Sequence, residues 1–264
     1  MIVDQRQADA SLRGVVRSFA ERQAQLGVDA VTSPLPARPD QFIEFYLQDR
    51  YRVSHDDRAA SFAPEVVIVG PQSYRRTRLI LSGSIHVFTI RFQPAGFHAL
   101  FGTPMTALVN EGVAISDVIG PAATDLRDAV MLACNFDERV SAAERWLRSK
   151  LDPLSPVDPV ACSAAALQRA GGRLSVRALA RGAELSDRQF TRRFERQVGL
   201  TPKLFARTVR LNAVLDAKVR LPCATWTELV HDAGYADQAH FVRDCRALAG
   251  GPPASFFAEW ARGR

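Results

Sequence analysis

Residues 185–205 read LSDRQFTRRFERQVGLTPKLF, and a stretch with the same landmark residues follows 51 residues later. The coincidences at this offset are Phe190 with Phe241, Arg192 with Arg243, Gly199 with Gly250, Pro202 with Pro253, and Phe205 with Phe256. Upstream, Leu179 falls on Val230, and Ser186 falls on Asp237. Self-similarity at a fixed period indicates that one structural unit occurs twice.

Residues that commonly begin helices stand at regular places within this repeat. The expected caps are Ser175 for a helix over 176–182, Ser186 for 187–198, Thr201 for 202–221, Thr225 for 226–233, and Asp237 for a helix to Leu248. Between the paired helices lie the turns 183–186 and 233–237, and Gly234 suits the left-handed conformation of such a turn. Each copy is therefore expected to be a helix-turn-helix unit.

The second helix of each unit is expected to bury aromatic side chains and to expose a face able to enter the major groove. In the first unit Phe190 and Phe194 point inward, while Arg188, Thr191, Arg192 and Arg196 point outward. In the second unit Phe241 points inward, while Gln238, His240 and Arg243 are available outward. Lys203, Arg207 and Arg210 are expected to contact phosphates or solvent, as Arg196 could also do.

The stretch Leu174–Phe257 resembles the DNA-binding domain of AraC-type transcriptional regulators. The residues that carry the resemblance are Leu185-Ser-x-x-x-Phe-x-Arg-x-Phe194, Gly199-x-x-Pro202-x-x-Phe205, Ala233-Gly-Tyr235 and His240-Phe-x-Arg243. The resemblance implies two helix-turn-helix units joined by one long helix, with base-facing residues Arg188, Thr191, Arg192, Gln238, Ala239, His240, Val242 and Arg243. Asp244 and Cys245 depart from the family's pattern. The second unit is therefore expected to bind more weakly, or to hold mainly the DNA backbone.

The distribution of charge agrees with a polyanionic partner for one half of the chain. Residues 160–264 hold 17 Lys and Arg against 9 Asp and Glu, a net charge of +8, whereas the remainder has a net charge of −2. A basic half beside a near-neutral half favours nucleic-acid binding by the basic half alone. The expected partner is double-stranded promoter DNA, with RNA polymerase as a further candidate.

The first half is predicted to be a small, barrel-like β-sheet domain followed by helices. Short strands are predicted over 41–47 and 66–69, and residues 79–81 and 85–92 are expected to pair as a hairpin around Gly83. Helical spacing follows over 122–134 and 137–151, and Val140, Ala143, Trp146 and Leu147 form one stripe of the latter. The expected fold is α+β: a domain over 1–151, a proline-rich linker over 152–159, and an all-α domain over 160–264.

The first half also resembles, over Pro64–Gln72 and Arg91–Gly102, the companion domain of a subgroup of these regulators. That position holds a sensing or dimerising domain in the wider family, which implies control by a small-molecule effector. Phe42, Phe45, Phe88 and Phe92 are expected in the core, with the lining of an apolar effector pocket as the alternative. The stripe that contains Trp146 is expected either to pack on the domain or to pair two copies of the chain. A ligand-independent dimer stays open as a second hypothesis.

Several other classes of protein are disfavoured by the sequence. No segment has the apolar length of a membrane span or of an export signal, which predicts a cytoplasmic protein without a membrane partner. The four cysteines are far apart and are expected to be buried, reduced thiols. His86 and His98 lack a third ligand at metal-binding spacing, so neither a metal nor a cofactor is expected. The chain is not expected to be an enzyme; the remaining alternative is a DNA-repair enzyme with an AraC-like tail.

Overall fold

The computed structural model describes residues 2–27, 30–55, 59–74, 77–152 and 156–261, and it confirms the α+β architecture. The strands within these ranges are β1 (Ile2–Gln7), β2 (Val16–Gln25), β3 (Val31–Pro34), β4 (Phe42–Tyr46), β5 (Arg52–His55), β6 (Ser61–Phe62), β7 (Val66–Val69), β8 (Thr77–Leu81), β9 (Ser84–Phe92) and β10 (Gly112–Ala114). The helices of the first half are α1 (Gly96–Phe101), α2 (Ser116–Ile119), α3 (Ala122–Met131) and α4 (Phe136–Arg148), with a 3-10 turn at Met105–Leu108.

All regular elements in the described residues of the second half are helices. Its helices are α5 (Pro159–Arg169), α6 (Val176–Gly182), α7 (Asp187–Val198), α8 (Pro202–Arg220), α9 (Trp226–Asp232), α10 (Gln238–Ala249) and α11 (Pro253–Ala261). Residues 153–155 of the predicted linker lie outside the described residues, and Asp158 caps α5. No helix that the structure describes is both long and apolar enough to cross a bilayer.

The strands form two open antiparallel sheets. The larger sheet has the order β1-β2-β9-β4-β7-β10, and the smaller has the order β3-β8-β5-β6. Among the described residues β1 and β10 are the two edges of the larger sheet, so the barrel-like first domain is not a closed barrel. The smaller sheet covers one face of the larger sheet, and helices α3 and α4 cover the other.

The hairpin expected around Gly83 does not form. Strand β8 pairs with β3 and β5 in the smaller sheet, whereas β9 lies between β2 and β4 at the centre of the larger one. Gly83, at a φ of 73°, turns the chain from one sheet to the other. The local sequence is compatible with a hairpin and with a crossing between sheets. In the structure β9 pairs with β2 on one side and with β4 on the other, instead of with β8.

The four phenylalanines considered for an effector pocket are buried. Phe45, Phe88 and Phe92 belong to the core between the larger sheet and the helices. The stripe of α4 faces the same core, which is the first of the two roles considered for it, and the Trp146 ring lies 5.9 Å from that of Phe101. These side chains therefore contribute to the core of the first domain, as expected.

The five helix caps predicted in the second half are all present. Each cap side chain accepts a hydrogen bond from a backbone N–H in the first turn of its helix, and Ser186 and Thr225 form complete capping boxes with Gln189 and Glu228. Helix α8 has 19 residues and is therefore about 28 Å long. Its first half lies in the core of the first unit, and its second half lies in the core of the second.

The repeat has two offsets rather than one. Helices α7 and α10 are related by 51 residues, whereas α6 and α9 are related by 50, because the second turn is one residue longer. Leu179 is thus equivalent to Leu229, and the expected match with Val230 is wrong. The left-handed residue of the second turn is Gly234, as predicted, at a φ of 80°. In the first turn it is Glu184, at a φ of 57°.

A short segment of the first half, residues 37–41, contacts both units of the second half. We name it the bridging segment. The N–H of Ala37 donates to the carbonyl of Leu248 at 2.8 Å, and the side chain of Asn212 donates to the carbonyl of Ala37 at 2.7 Å. At its other end, the Gln41 side-chain amide donates to the carbonyl of Val198 at 3.1 Å. The bridging segment therefore satisfies a carbonyl near the end of both α7 and α10, where helical partners are missing.

The expectation of buried thiols is wrong for three of the four cysteines. Cys134, Cys162 and Cys223 are exposed and only Cys245 is buried, and all four are free thiols. Burial, together with the nearby charge of Asp244, raises the pKa of the Cys245 thiol to about 12. Cys245 therefore acts as a small apolar side chain in the core of the second unit.

Candidate DNA-binding surface

Helix α7 separates its buried and exposed faces sharply. Phe190 and Phe194 are fully buried, and the Phe194 ring meets that of Phe205 on α8 at 5.5 Å. On the opposite face Arg188, Arg192 and Arg196 are exposed and Thr191 is half-buried. Because the three arginines are spaced by four residues, they form one stripe along the helix. No part of the chain that the structure describes covers this stripe.

The arginines of this stripe differ from the other arginines around them. Within the ranges the structure describes, Arg188, Arg192 and Arg196 make no side-chain hydrogen bond or ion pair. The neighbouring Arg193, in contrast, donates to the Asp158 carboxylate at 2.9 Å. The stripe therefore presents three guanidinium groups whose donors are all available to a ligand.

Two arginines of α8 are not free for DNA, contrary to expectation. Arg207 forms an ion pair with Asp244 at 2.8 Å, and Asp244 is buried. Arg210 donates to the carbonyl of Gly172 at 2.7 Å and lies over the Tyr235 ring at 5.6 Å. Both side chains are used internally, because they hold α8 against its neighbours. Lys203 is exposed, as expected of a residue that contacts phosphate or solvent.

Helix α10 exposes a less basic face than α7. Gln238, Ala239 and Arg243 are exposed, and Val242 is half-buried. His240 is also half-buried; its ring packs edge-on against Tyr235 at 5.0 Å, and its Nε2 lies 4.0 Å from the Asp244 carboxylate. The structure thus places most of the predicted residues of α10 on one open face and places His240 at its margin.

The two units are held together by contacts beyond the shared helix. Arg173, in the turn after α5, donates to the carbonyl of Asp232 at 3.5 Å in the second unit. Its aliphatic carbons lie against Gly234, where a Cβ would meet Cδ of Arg173 at 2.6 Å. Together with the Arg207–Asp244 pair, these contacts fix the position of α10 relative to α7.

Two residues that serve this surface were missed by sequence reasoning. Arg246 is exposed three residues after Arg243, so it extends the open face of α10, and helical spacing alone could have found it. Asp158 caps α5 and also accepts hydrogen bonds from Arg193 and Gln197 of α7. No sequence signal indicates that second role, because it depends on how α5 packs on α7.

The histidines considered as metal ligands have protein partners. His86 Nε2 lies 2.8 Å from a carboxylate oxygen of Glu21, and His98 Nδ1 lies 2.8 Å from the carbonyl of Thr103. Within the described ranges no group of three or more His, Cys, Asp or Glu side chains is placed to hold a metal ion.

Two family models match the chain. A helix-turn-helix domain matches residues 179–259, and a domain of unknown function (DUF6597) matches residues 5–114. No curated protein matches the sequence significantly. The first matched region includes α7, α8 and α10, and the second includes all ten strands except part of β1.

Solved structures resemble the chain at low sequence identity. ToxT from Vibrio cholerae is 9% identical over 91% of this chain and 98% of that chain, with a TM-score of 0.48. Unsaturated fatty acid bound wild-type ToxT from Vibrio cholerae strain SCE256 is 11% identical over 96% of both chains, with a TM-score of 0.47. The AraC-like transcriptional activator CuxR is 12% identical over 82% of this chain and 86% of that chain, with a TM-score of 0.30.

The matched helix-turn-helix domain covers the residues that carry the AraC-type motif, and the structure gives both copies the geometry that the motif requires. The chain therefore carries a DNA-binding helix-turn-helix domain with the motif of AraC-type transcription regulators over residues 179–259, and a DUF6597 domain over residues 5–114.

Proposed function

We propose that this regulator binds promoter DNA sequence-specifically through α7 and α10, which enter successive segments of the major groove about 34 Å apart. The observation that carries the proposal is the selective freedom of the α7 arginines. Arg188, Arg192 and Arg196 are exposed and unpaired in the described part of the chain, while Arg193, Arg207 and Arg210 are engaged internally. Residues 160–264 would form the DNA-binding domain, joined by residues 152–159 to a sensing domain over residues 1–151.

The first unit is proposed to read bases. An arginine that donates two hydrogen bonds to guanine O6 and N7 contributes about 1–3 kcal/mol of discrimination between bases. Arg188, Thr191 and Arg192 are the candidates for this role, since they lie toward the amino-terminal half of α7. Arg196 is nearer the carboxyl end and is proposed to contact phosphate, which adds affinity that falls as salt rises.

The second unit is proposed to contribute less discrimination. Its open face offers one arginine among the predicted base-facing residues, Arg243, together with Gln238 and Ala239. His240 has part of its ring against Tyr235, and Val242 can offer only an apolar contact. We assign α10 a supporting role in which Arg243 and Arg246 hold the DNA backbone.

The experiment begins with selection of bound duplexes from a random pool, using the full-length chain. Arg192→Ala should then weaken binding to the selected duplex about 5- to 150-fold and weaken binding to an unrelated duplex much less. Arg192→Lys is the matched control, because it keeps the charge but loses the forked donor geometry. If Arg192→Ala loses affinity equally for both duplexes and Arg192→Lys retains it, Arg192 contacts phosphate only.

For the first domain we propose control by a small-molecule effector rather than dimerisation alone. The supporting observation is that residues of this domain contact both DNA-binding units through the bridging segment. A domain that only paired two copies would not need to contact both units. Association of two copies and contact with RNA polymerase are proposed as further interactions, which analytical ultracentrifugation and co-purification with polymerase would test.

A further inference from the structure

Three central strands of the larger sheet carry polar side chains on the face that lies toward the smaller sheet. Rows across β2, β9 and β4 are Ser18, Arg91 and Phe42, then Ala20, Thr89 and Glu44, then Arg22, Val87 and Tyr46. In the last row, Val87 and Tyr46 pack with apolar side chains of the smaller sheet. Toward Ser18 and Arg91, the apolar packing between the sheets gives way to charged and polar groups.

Further charged side chains reach the same face from outside the ladder. The register of β2 shifts between Val16 and Ser18, and such a bulge redirects a side chain. Arg17, at this bulge, donates to the Asp40 carboxylate at 2.8 Å. Arg38 and Asp40 belong to the bridging segment, and the Arg38 guanidinium lies 4.7 Å from the centre of the Phe42 ring. We name this group the arginine cleft: Arg17, Arg22, Arg38, Arg91, Asp40, Glu44, Ser18 and Thr89.

The arginine cleft contains more positive than negative charge. Arg17 pairs with Asp40, and Arg22 pairs with Glu44. Among the residues that the structure describes, neither Arg38 nor Arg91 forms an ion pair with a carboxylate. The cleft therefore has two positive charges in excess, in a region where an unpaired charge is unfavourable.

Four polar atoms of the cleft have no hydrogen-bond partner within the described ranges. They are Ser18 Oγ, Thr89 Oγ1, Nε of Arg22 and Nε of Arg38, and all are shielded from solvent. The Ser18 and Thr89 residues are 2% and 1% exposed. Buried polar groups in folded proteins almost always have partners, so a cluster of four without one indicates an absent partner. All four can donate a hydrogen bond to an oxyanion: the two Nε atoms can only donate, and the two hydroxyls can donate or accept.

The electrostatics of the unpaired arginines agree with this reading. Burial lowers the pKa of Arg38, and the carboxylates of Asp40 and Glu44 do not offset that effect. Burial also lowers the pKa of Arg91. An added anion would reverse both effects, because a nearby negative charge favours the charged form of each guanidinium.

Three charged side chains of the arginine cleft are partly exposed. The side chains of Arg17, Arg22 and Asp40 keep 33%, 28% and 27% of their exposure. Solvent therefore reaches the rim of the cleft, while Ser18 and Thr89 form its floor.

We propose that the arginine cleft binds the carboxylate or phosphate group of a small anionic molecule, which would be the effector of the regulator. Arg38 and Arg91 would pair with the anion, and the hydroxyls of Ser18 and Thr89 would donate to its oxygens. The effector role rests on the function proposed above, whereas the binding site itself does not.

The bridging segment connects this cleft to the DNA-binding units. Successive residues of an extended chain point to opposite sides. Ala37 and Gln41 contact α10 and α7, and the residues between them, Arg38 and Asp40, contribute to the cleft. An anion that changes the position of Arg38 must therefore act on Ala37, and through it on the end of α10. Binding of the anion is expected to change the affinity of the full chain for DNA.

Binding is tested by thermal unfolding of the full-length chain with sodium phosphate or sodium succinate, against sodium chloride at equal ionic strength. At a tenfold excess over Kd, the bound anion should raise Tm by about 3–5 °C. A rise with succinate alone identifies a carboxylate, and a rise with phosphate alone identifies a phosphate. If neither anion raises Tm, the proposal is wrong.

Variants separate the cleft from the basic DNA-binding surface, which also attracts anions. Arg91→Met and Thr89→Val should abolish the rise in Tm, and Arg192→Ala should retain it. Without ligand, both cleft variants should unfold at the Tm of the parent chain or above, because they remove an uncompensated charge or an unpartnered hydroxyl. A lower ligand-free Tm for both would mean that these groups are structural. If the anion no longer raises the Tm of Arg192→Ala, the anion binds to α7. Each of these two results would show that the arginine cleft is not the anion site.

The effector role has its own measurement. The Kd of the full-length chain for its selected duplex is compared with and without the anion that raised Tm, for the parent chain and for Arg91→Met. A change in Kd of fivefold or more in the parent alone is the expected result for typical coupling. If the anion binds but the Kd for DNA is unchanged, the anion is not the effector. The same assay measures DNA binding directly, so the proposed DNA-binding function can hold even if the effector role is rejected.

Discussion

The backbone N–H of Ala37 donates to the carbonyl of Leu248 at 2.8 Å, across more than two hundred residues of sequence. Leu248 lies in the last turn of α10, where a carbonyl has no helical partner. Ala37 is fully buried in the core of the second unit, although it belongs to the first half of the chain. The second unit therefore depends on a residue outside the matched helix-turn-helix domain for part of its core and for one of its hydrogen bonds.

Replacement of Asn212 tests this contact. The Asn212 side chain donates to Ala37 and also to the carbonyl of Thr208. Asn212→Ala should lower the free energy of unfolding by about 1–2 kcal/mol, because the buried carbonyl of Ala37 loses its donor. Asn212→Asp should cost more, since it places a carboxylate against that carbonyl. Urea denaturation measures both, and Ala213→Asp on the exposed face of α8 controls for the added charge.

The left-handed residues of the two turns predict opposite effects of substitution. Glu184→Gly should stabilise the chain by about 0.5–1 kcal/mol, because glycine has no Cβ penalty at a φ of 57°. Gly234→Ala should destabilise it by about 1–2 kcal/mol at a φ of 80°, where the new Cβ also approaches Arg173. Thermal unfolding of both variants checks the pair. Shifts of Tm in the same direction would contradict equivalent roles for the two residues.

The Arg207–Asp244 pair should behave as a partly buried ion pair. The Asp244 side chain is 4% exposed, so Arg207→Ala leaves a carboxylate without its cation and should cost about 2–4 kcal/mol. The double variant Arg207→Ala with Asp244→Ala should cost clearly less than the sum of the single changes. A double-mutant cycle by urea denaturation measures this coupling. Arg127→Ala, at the exposed pair with Asp128, is the control and should leave the stability nearly unchanged.

The Asp158 carboxylate should make stability dependent on pH in the acid range. Burial alone would raise its pKa, but hydrogen bonds from the Val160 amide, Gln197 and Arg193, with the Arg193 charge, lower it below the ordinary value. A carboxyl whose pKa is lower in the folded chain stabilises the fold above its unfolded pKa of 3.8. That contribution disappears as pH falls through the lower, folded-state pKa. Unfolding free energies measured between neutral and acid pH should therefore fall less steeply for Asp158→Asn than for the parent chain.

The parts of the second half that could be predicted are those with local causes. Ser186 caps α7 and Thr225 caps α9 because a hydroxyl and an amide only a few residues apart meet in the first turn. The exposed stripe of α7 follows from the spacing of Phe190 and Phe194, which fixes the buried face. The exposed face of α7 was therefore accessible from sequence, whereas the internal use of Arg207 depends on a residue 37 positions away.

The first half was harder because its strands depend on distant partners. Strand β2 reads VRSFAERQAQ and lacks the β-branched character of a typical strand, yet it pairs along its length with β9. Polar side chains of β2 have partners on both faces of the sheet. Those on one face belong to the arginine cleft, and Glu21 on the other face accepts a hydrogen bond from Arg139 of α4. The prediction of a hairpin at Gly83 was wrong for the same reason, because the partners of β9 are determined by the sheet as a whole.

Ala37 and Gln41 are four residues apart, a distance of at most about 14 Å along an extended chain. The carboxyl ends of α7 and α10 are thus held within a short span by one segment of the first half. Helix α7 has 12 residues and is about 18 Å long, so a pivot of about 10° at its carboxyl end would displace the other end by about 3 Å. That displacement is close to the rise of one base pair, so a small movement of the bridging segment would suffice to change which base Arg188 meets in the proposed complex.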